Sequence, residues 1–157
     1  MALLAGCPAG GGHYLRSGYA PPASVAVLPL DNLTVDLDAA PVVRALFAER
    51  LAATKGYRVL PLDGTDAALA PLGVTDGGQL RALDWKAVCA AAGADAVVGG
   101  EVREFGVKTT GFLNVRQVVA SFEMKDCRDG SLLWSAEGTG ASSTTALSAK
   151  DALKAGL

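Results

Sequence analysis

Apolar positions along the chain follow two different periods. Ser24 to Leu30 (SVAVLPL) is a short Val-rich run after Pro21-Pro22, which predicts a strand buried on both faces and central in a sheet. Asp31 to Ala40 is polar and irregular. Val43, Phe47 and Leu51 then recur every four residues with Leu46 beside them, the spacing of one apolar helix stripe, and Arg44, Glu49 and Arg50 lie away from its centre. Pro41 takes the first helical position, where a missing N–H costs nothing, and Lys55-Gly56 supplies a cation and a left-handed stop at the other end.

Tyr57 to Leu62 (YRVLPL) predicts a second strand, joined to the first by a right-handed parallel crossover. Thr65 to Ala70 forms a short helix broken by Pro71 and Gly73, and Thr75 to Leu83 a loop with one further turn. Asp84 caps a helix from Trp85 to Ala92 that Gly93 ends, with Trp85 and Val88 toward the sheet. The period then becomes two. In Asp95 to Phe105, Ala96, Val98, Gly100 and Val102 alternate with Val97, Gly99, Glu101 and Arg103. In Arg116 to Lys125, Val118, Ala120, Phe122 and Met124 alternate with Gln117, Ser121 and Glu123. Asp129-Gly130 gives the turn its positive φ, and Ser131 to Ser135 closes a three-stranded meander after a connection from Gly106 to Asn114. The expected fold is α/β in the mixed α+β sense, a five-stranded mixed sheet with helices packed on one side.

Length and composition agree with one domain. The chain has 157 residues, of which half are hydrophobic and 19 are Gly. Residues 24–143 are expected to form the globular domain, 1–23 a flexible Pro/Gly/Ser-rich linker, and 144–157 the start of a further helix that continues beyond Leu157. A net charge of −2 with scattered basic residues leaves no electrostatic footprint for nucleic acid. No apolar run approaches the ~18 to 20 residues of a membrane-spanning helix.

Membrane attachment therefore has to be covalent, and the amino terminus offers a way. Leu4-Ala5-Gly6-Cys7 resembles a bacterial lipobox, in which small residues fit a narrow peptidase subsite and the Cys carries the lipid. The basic and apolar regions of a signal peptide are not present before it, so the start of the gene is expected upstream of Met1. A diacylglyceryl group plus an N-acyl chain on Cys7 would anchor stably. Pro8, rather than Asp, follows Cys7, which by resemblance to enterobacterial sorting implies the periplasmic leaflet of the outer membrane.

The segments SVAVLPLDN, YRVLPL, LGVTDGGQL, GADAVVGGEVREFG and DCRDGSLLWSAEGTGASS resemble a family of small bacterial lipoproteins of unknown function, whose best-known member is a meningococcal vaccine-candidate antigen. The resemblance covers Ser24 to Ser143. It implies the fold of the TolB amino-terminal domain, shared distantly with the curli-secretion lipoprotein CsgG and the synthase activator LpoB.

No pattern in the sequence points to catalysis or to a cofactor. Serine and cysteine nucleophiles have no His partner in 24–143, since the single His13 sits in the linker and reads as a solvated residue. Walker and dinucleotide glycine patterns are missing, and Cys7, Cys89 and Cys127 lack metal-ligand spacing. Gly99-Gly100 reads as close packing or a bulge, Asp126 and Asp129 as turn formers, and Glu101, Arg103 and Glu104 as a solvated face. Cys89 and Cys127 could pair only if the helix end reaches the turn; the preferred reading makes Cys89 a small buried hydrophobe. Leu132 and Trp134 are the candidate interface, with core packing as the plainer alternative. The expected role is a non-enzymatic, lipid-tethered interaction module whose partners are cell-envelope proteins of transport, secretion or wall synthesis. A homodimer is expected from the base rate of symmetric assemblies and from the resemblance. The alternatives are an LpoB-like activator of peptidoglycan synthesis and a CsgG-like channel subunit.

Overall fold

The computed structural model describes residues 13–110 and 113–142. Cys7 and the expected helix from Ala146 lie outside them. Six strands form one mixed sheet: β1 (His13–Leu15), β2 (Val25–Val27), β3 (Asp31–Asn32), β4 (Ala96–Thr110), β5 (Leu113–Asp126) and β6 (Leu132–Ser142). The order is β1-β6-β5-β4-β2, with β3 also beside β4. β2 and β3 run parallel to β4, and β4, β5, β6 and β1 are antiparallel in succession. Among the described residues three α-helices accompany them: α1 (Ala39–Ala53), α2 (Leu62–Leu69) and α3 (Trp85–Ala92).

The mixed α/β class is as the sequence predicts, and the meander is where the period of two places it. Several details differ, each for a local reason. Tyr57 to Leu62 is not a full strand. It contributes a parallel bridge at Val59, where Val25 N–H donates to Arg58 O and Leu60 N–H to Val25 O, both at 2.9 Å. Pro61 has no N–H to continue the ladder and becomes the residue from which α2 starts. The lost strand is replaced by two others, so the sheet has six strands rather than five. β3 is a two-residue extension of the first parallel run. β1 comes from the segment composition marks as linker: His13, Tyr14 and Leu15 pair with Ala136, Ser135 and Trp134, and all three side chains are exposed.

Helices cover both faces, not one. Val25 and Val27 of β2 point toward α1 together with Val98, Val102, Phe122 and Met124. Ala26 points the other way, with Val97, against Leu69 of α2 and Val88, Cys89 and Ala92 of α3. A strand apolar at every position requires cover on both sides. Arg44 departs from its expected solvent position and is only 7% exposed. Its Nε and Nη2 donate to Val27 O at 3.1 and 2.7 Å, and Nη1 pairs with Asp66 at 2.7 Å, tying α1 to β2 and α2.

The connection from Gly106 to Asn114 is strand rather than loop: pairing continues through Lys108↔Val115 to Thr110↔Leu113. A bulge between Val102 and Glu104 precedes it. Five residues per strand beyond Phe105 still fall short of the ~9 to 11 of a membrane-spanning strand.

Candidate interaction site

Each half of the second sheet face is treated differently. α3 and the 3-10 turn Gly77–Ala82 cover the β2 and β4 side, while β5 and β6 present Ser121, Glu123, Ser135 and Glu137 without a helix above them among the described residues. Between the two halves runs a groove of about 610 Å³, walled by Leu80, Leu83 and Trp85 and floored by Gly99, Glu101 and Ser121.

Local sequence builds this groove. Asp76 caps the 3-10 turn by accepting from Gly78 N–H at 2.8 Å, and Gln79 Oε1 accepts from Asp76 N–H at 3.1 Å. A Cβ at Gly77 would run into the backbone of Leu30 and Asp31, so this turn seats against the end of the first parallel run only with glycine. That contact is the physical content of LGVTDGGQL. Asp84 caps α3 through Lys86 N–H at 3.1 Å, as predicted, and Gly93 ends it at φ 66°.

Two arginines and three carboxylates of the groove are engaged with one another. Arg81 pairs with Asp31 and lies 3.8 Å from Glu101; Arg103 reaches Glu101 and Glu137, each at 2.6 Å. Two guanidiniums thus thread three carboxylates from β3 across to β6, and Glu101 and Glu137 hold Arg103 above its usual range. Charges satisfied in this way offer a pre-set polar surface rather than a free acid or base.

Cys89 and Cys127 form a disulfide, with Cα atoms 5.6 Å apart, which corrects the reading of Cys89 as a lone buried hydrophobe. The α3 end does reach the β5–β6 turn. Cys127 N–H donates to Asp95 O at 2.9 Å, holding the turn against the residues that follow α3. The Trp85 ring lies where a Cβ on Gly130 would sit, so Gly130 serves both its φ of 74° and the packing of Trp85.

The turn carboxylates do what turn formers do. Asp126 accepts from Arg128 N–H at 2.9 Å and from its Nη2 at 2.8 Å, and Asp129 accepts from Ser131 N–H at 2.9 Å. Both acids are held below the usual carboxylate range, Asp126 mainly by the Arg128 guanidinium and Asp129 by Ser131. Leu132 and Trp134 are half-buried, and the Trp134 ring packs toward Phe47 of α1 at 6.1 Å. Leu133 sits at a ladder irregularity and is buried. Gly99 opens into the groove with nothing near its absent Cβ, whereas at Gly100 a Cβ would meet Ser121 O. Close strand approach therefore accounts for Gly100 and not for Gly99.

Sequence reasoning passed over one surface feature. Leu33, Val35 and Leu37, in the segment read as polar and irregular, are all exposed. Their alternation with Thr34 and Asp36 was the available signal.

The fold is thus a mixed sheet with helices on both faces and a groove in which Arg81 and Arg103 pair with Asp31, Glu101 and Glu137. The profile of the family described as "Putative lipoprotein GNA1162-like" matches residues 14–157, and the chain belongs to that family. Among solved structures, lipoprotein GNA1162 from Neisseria meningitidis is 25% identical with a TM-score of 0.72, covering 83% of this chain and 90% of that one. The PelC dodecamer from Paraburkholderia phytofirmans is 24% identical at a TM-score of 0.61, covering 92% and 91%. The LpoB C-terminal domain from Salmonella enterica shares the fold at 16% identity and a TM-score of 0.51, covering 82% and 87%. No curated protein matches the sequence.

Proposed function

We propose that this chain is a lipid-anchored, non-enzymatic interaction module of the cell envelope, tethered through Cys7 to the periplasmic leaflet of the outer membrane. Membership of a lipoprotein family over residues 14–157 carries the reading. Leu4-Ala5-Gly6-Cys7 supplies the modification site six residues before β1. The groove supports the module half of the reading, because Arg81 and Arg103 are committed to Asp31, Glu101 and Glu137 and leave a shaped surface for a protein partner. Partners are cell-envelope proteins of transport, secretion or wall synthesis. Self-association belongs to the same reading, since the PelC neighbour is a dodecamer.

Affinity purification from crosslinked envelopes, comparing the wild type with Cys7→Ser, tests it. The wild type should fractionate with the outer membrane and bring down envelope proteins, and Cys7→Ser should be lost from the membrane. Both forms remaining soluble and alone would end the proposal.

A further inference from the structure

The groove between α3 and the uncovered half of the sheet has a place where its floor is bare. Gly99 sits there, with nothing within 4 Å of the position a Cβ would take. Its register partner on β5 is Glu123, about 5 Å away across the ladder, and Glu101 follows two residues along β4, about 7 Å on. Leu80 and Leu83 wall the groove and are only partly buried, although both pack on the core between α2 and α3. A carboxylate at the floor and an aliphatic wall thus bound one gap.

The free charge of this gap is negative. Asp31 and Glu101 are engaged by Arg81 and Arg103, and Arg103 is engaged a second time by Glu137. Glu123 is exposed and takes part in no ion pair among the described residues. Lys125, two residues toward the β5–β6 turn and opposite Val97, is likewise without an ion pair among the described residues. Position separates the two. Val97 is buried with Val88 of α3, so the floor is closed beside Lys125 and open beside Glu123. From Val97 to Glu101 the floor runs about 13 Å, room for about four extended residues.

We propose that the groove docks an extended segment of a partner protein in which an arginine or lysine neighbours an aliphatic residue. The cation seats over Gly99 on Glu123, and the aliphatic side chain lies on Leu80 and Leu83, which it removes from water. An acidic segment would meet Glu123 without a counter-charge and find Arg81 and Arg103 already taken. A cationic amino-sugar polymer would satisfy Glu123 but set its hydroxyls against the leucines without hydrogen-bond partners. This inference rests on the groove being the interaction surface of the proposed module, and it names the chemistry of what that surface binds.

Titration of the full-length, isotope-labelled Cys7→Ser protein with the tetrapeptide acetyl-Leu-Leu-Arg-Leu-amide, followed by NMR, gives the test. The peptide should shift the amides of Gly99, Glu101, Ser121 and Glu123, and should bind about three- to five-fold more tightly than a twin with neutral citrulline in place of arginine. Glu123→Gln should abolish that difference, and Gly99→Val should weaken both peptides by filling the gap. Both positions border the open groove, and an unchanged circular dichroism spectrum and thermal midpoint verify the fold; where Gly99→Val fails that check, Glu123→Gln alone decides. No shift at about 10 mM peptide, an arginine preference that survives Glu123→Gln, or shifts on the α1 face instead, overturns the proposal. So does tighter binding of a glucosamine oligomer at the same amides, which assigns the groove to a cationic polysaccharide. The anchor is tested separately by fractionation of Cys7→Ser. Envelope crosslinks that persist undiminished in a well-folded Gly99→Val protein would keep the module, move its contact off the groove and overturn this inference alone.

Discussion

The two faces of the sheet are held by different means. On one, the 15-residue α1 lies over Val98, Val102, Phe122 and Met124, and Phe47 stacks on Phe122 with centroids 4.0 Å apart. On the other, α2 and α3 have eight residues each and cover only part of the surface. Helices that short have little stability of their own. The second face compensates with the Cys89–Cys127 bridge, the Asp84 and Asp76 caps and a chain of ion pairs. Where one long helix spans the sheet, apolar burial dominates and the Arg44 tie to Val27 O and Asp66 adds to it; the short covers carry more covalent and polar ties, and leave a groove beside them.

Phe122→Ala attacks the first face where aromatic packing is densest. Phe122 is 3% exposed, and its truncation should cost about 3–5 kcal/mol in chemical denaturation. A loss under 1 kcal/mol would mean that α1 is not the main apolar cover. Replacing both Cys89 and Cys127 by Ala attacks the second face, opening a crosslink across 38 residues of sequence. The expected cost is about 2–4 kcal/mol. Amide exchange should accelerate in α3 ahead of α1. Equal acceleration in both helices would show the two faces to be one cooperative unit and remove the contrast between them.

How far each face could be read from sequence follows the same division. The α1 face was legible because its signals are periodic: Val43, Phe47 and Leu51 on the helix, and Val118, Ala120, Phe122 and Met124 on β5. The second face depends on contacts distant in sequence. Nothing in the spacing of Cys89 and Cys127 indicates that α3 ends beside the β5–β6 turn. Arg44 read as a solvent-side residue because a charge at a helix position ordinarily is one; its burial depends on Val27 O lying beneath it. The groove was partly visible. Glu101 and Arg103 were placed on the polar face, but their link through Arg81 to Asp31 crosses three elements. β1 was hidden by its Gly- and Pro-rich surroundings, where three residues are too few to show a period.

A smaller effect separates two adjacent glycines on β4. Gly100→Ala places a methyl group against Ser121 O and should displace β5, costing about 1–3 kcal/mol. Gly99→Ala meets nothing within the groove and should stay within about 0.5 kcal/mol. Equal costs for the two would show that β4 tolerates neither substitution for a reason common to both, such as strand propensity, and that close approach of β5 is not the cause.

Acid titration gives the smallest and most local contrast. Asp126 is buried at the base of the turn that carries Cys127, and the Arg128 guanidinium, helped by Arg128 N–H and opposed by burial, holds its carboxyl below the usual range. The folded state therefore binds fewer protons than the unfolded one as the pH falls. The stability this contributes is fully present above the ordinary carboxylate pKa of about 3.9 and is lost below it, toward the depressed folded value. Urea unfolding of wild type and Asp126→Asn from neutral to acid pH measures the contribution. Asp126→Asn should be less stable at neutral pH, and the two curves should converge on the acid side, because protonation does to the wild type what the amide does permanently. Asp129 shifts in the same direction through Ser131, so part of the acid limb should survive in Asp126→Asn. Parallel curves across the whole range would mean that the Asp126–Arg128 pair contributes no pH-dependent stability to this turn.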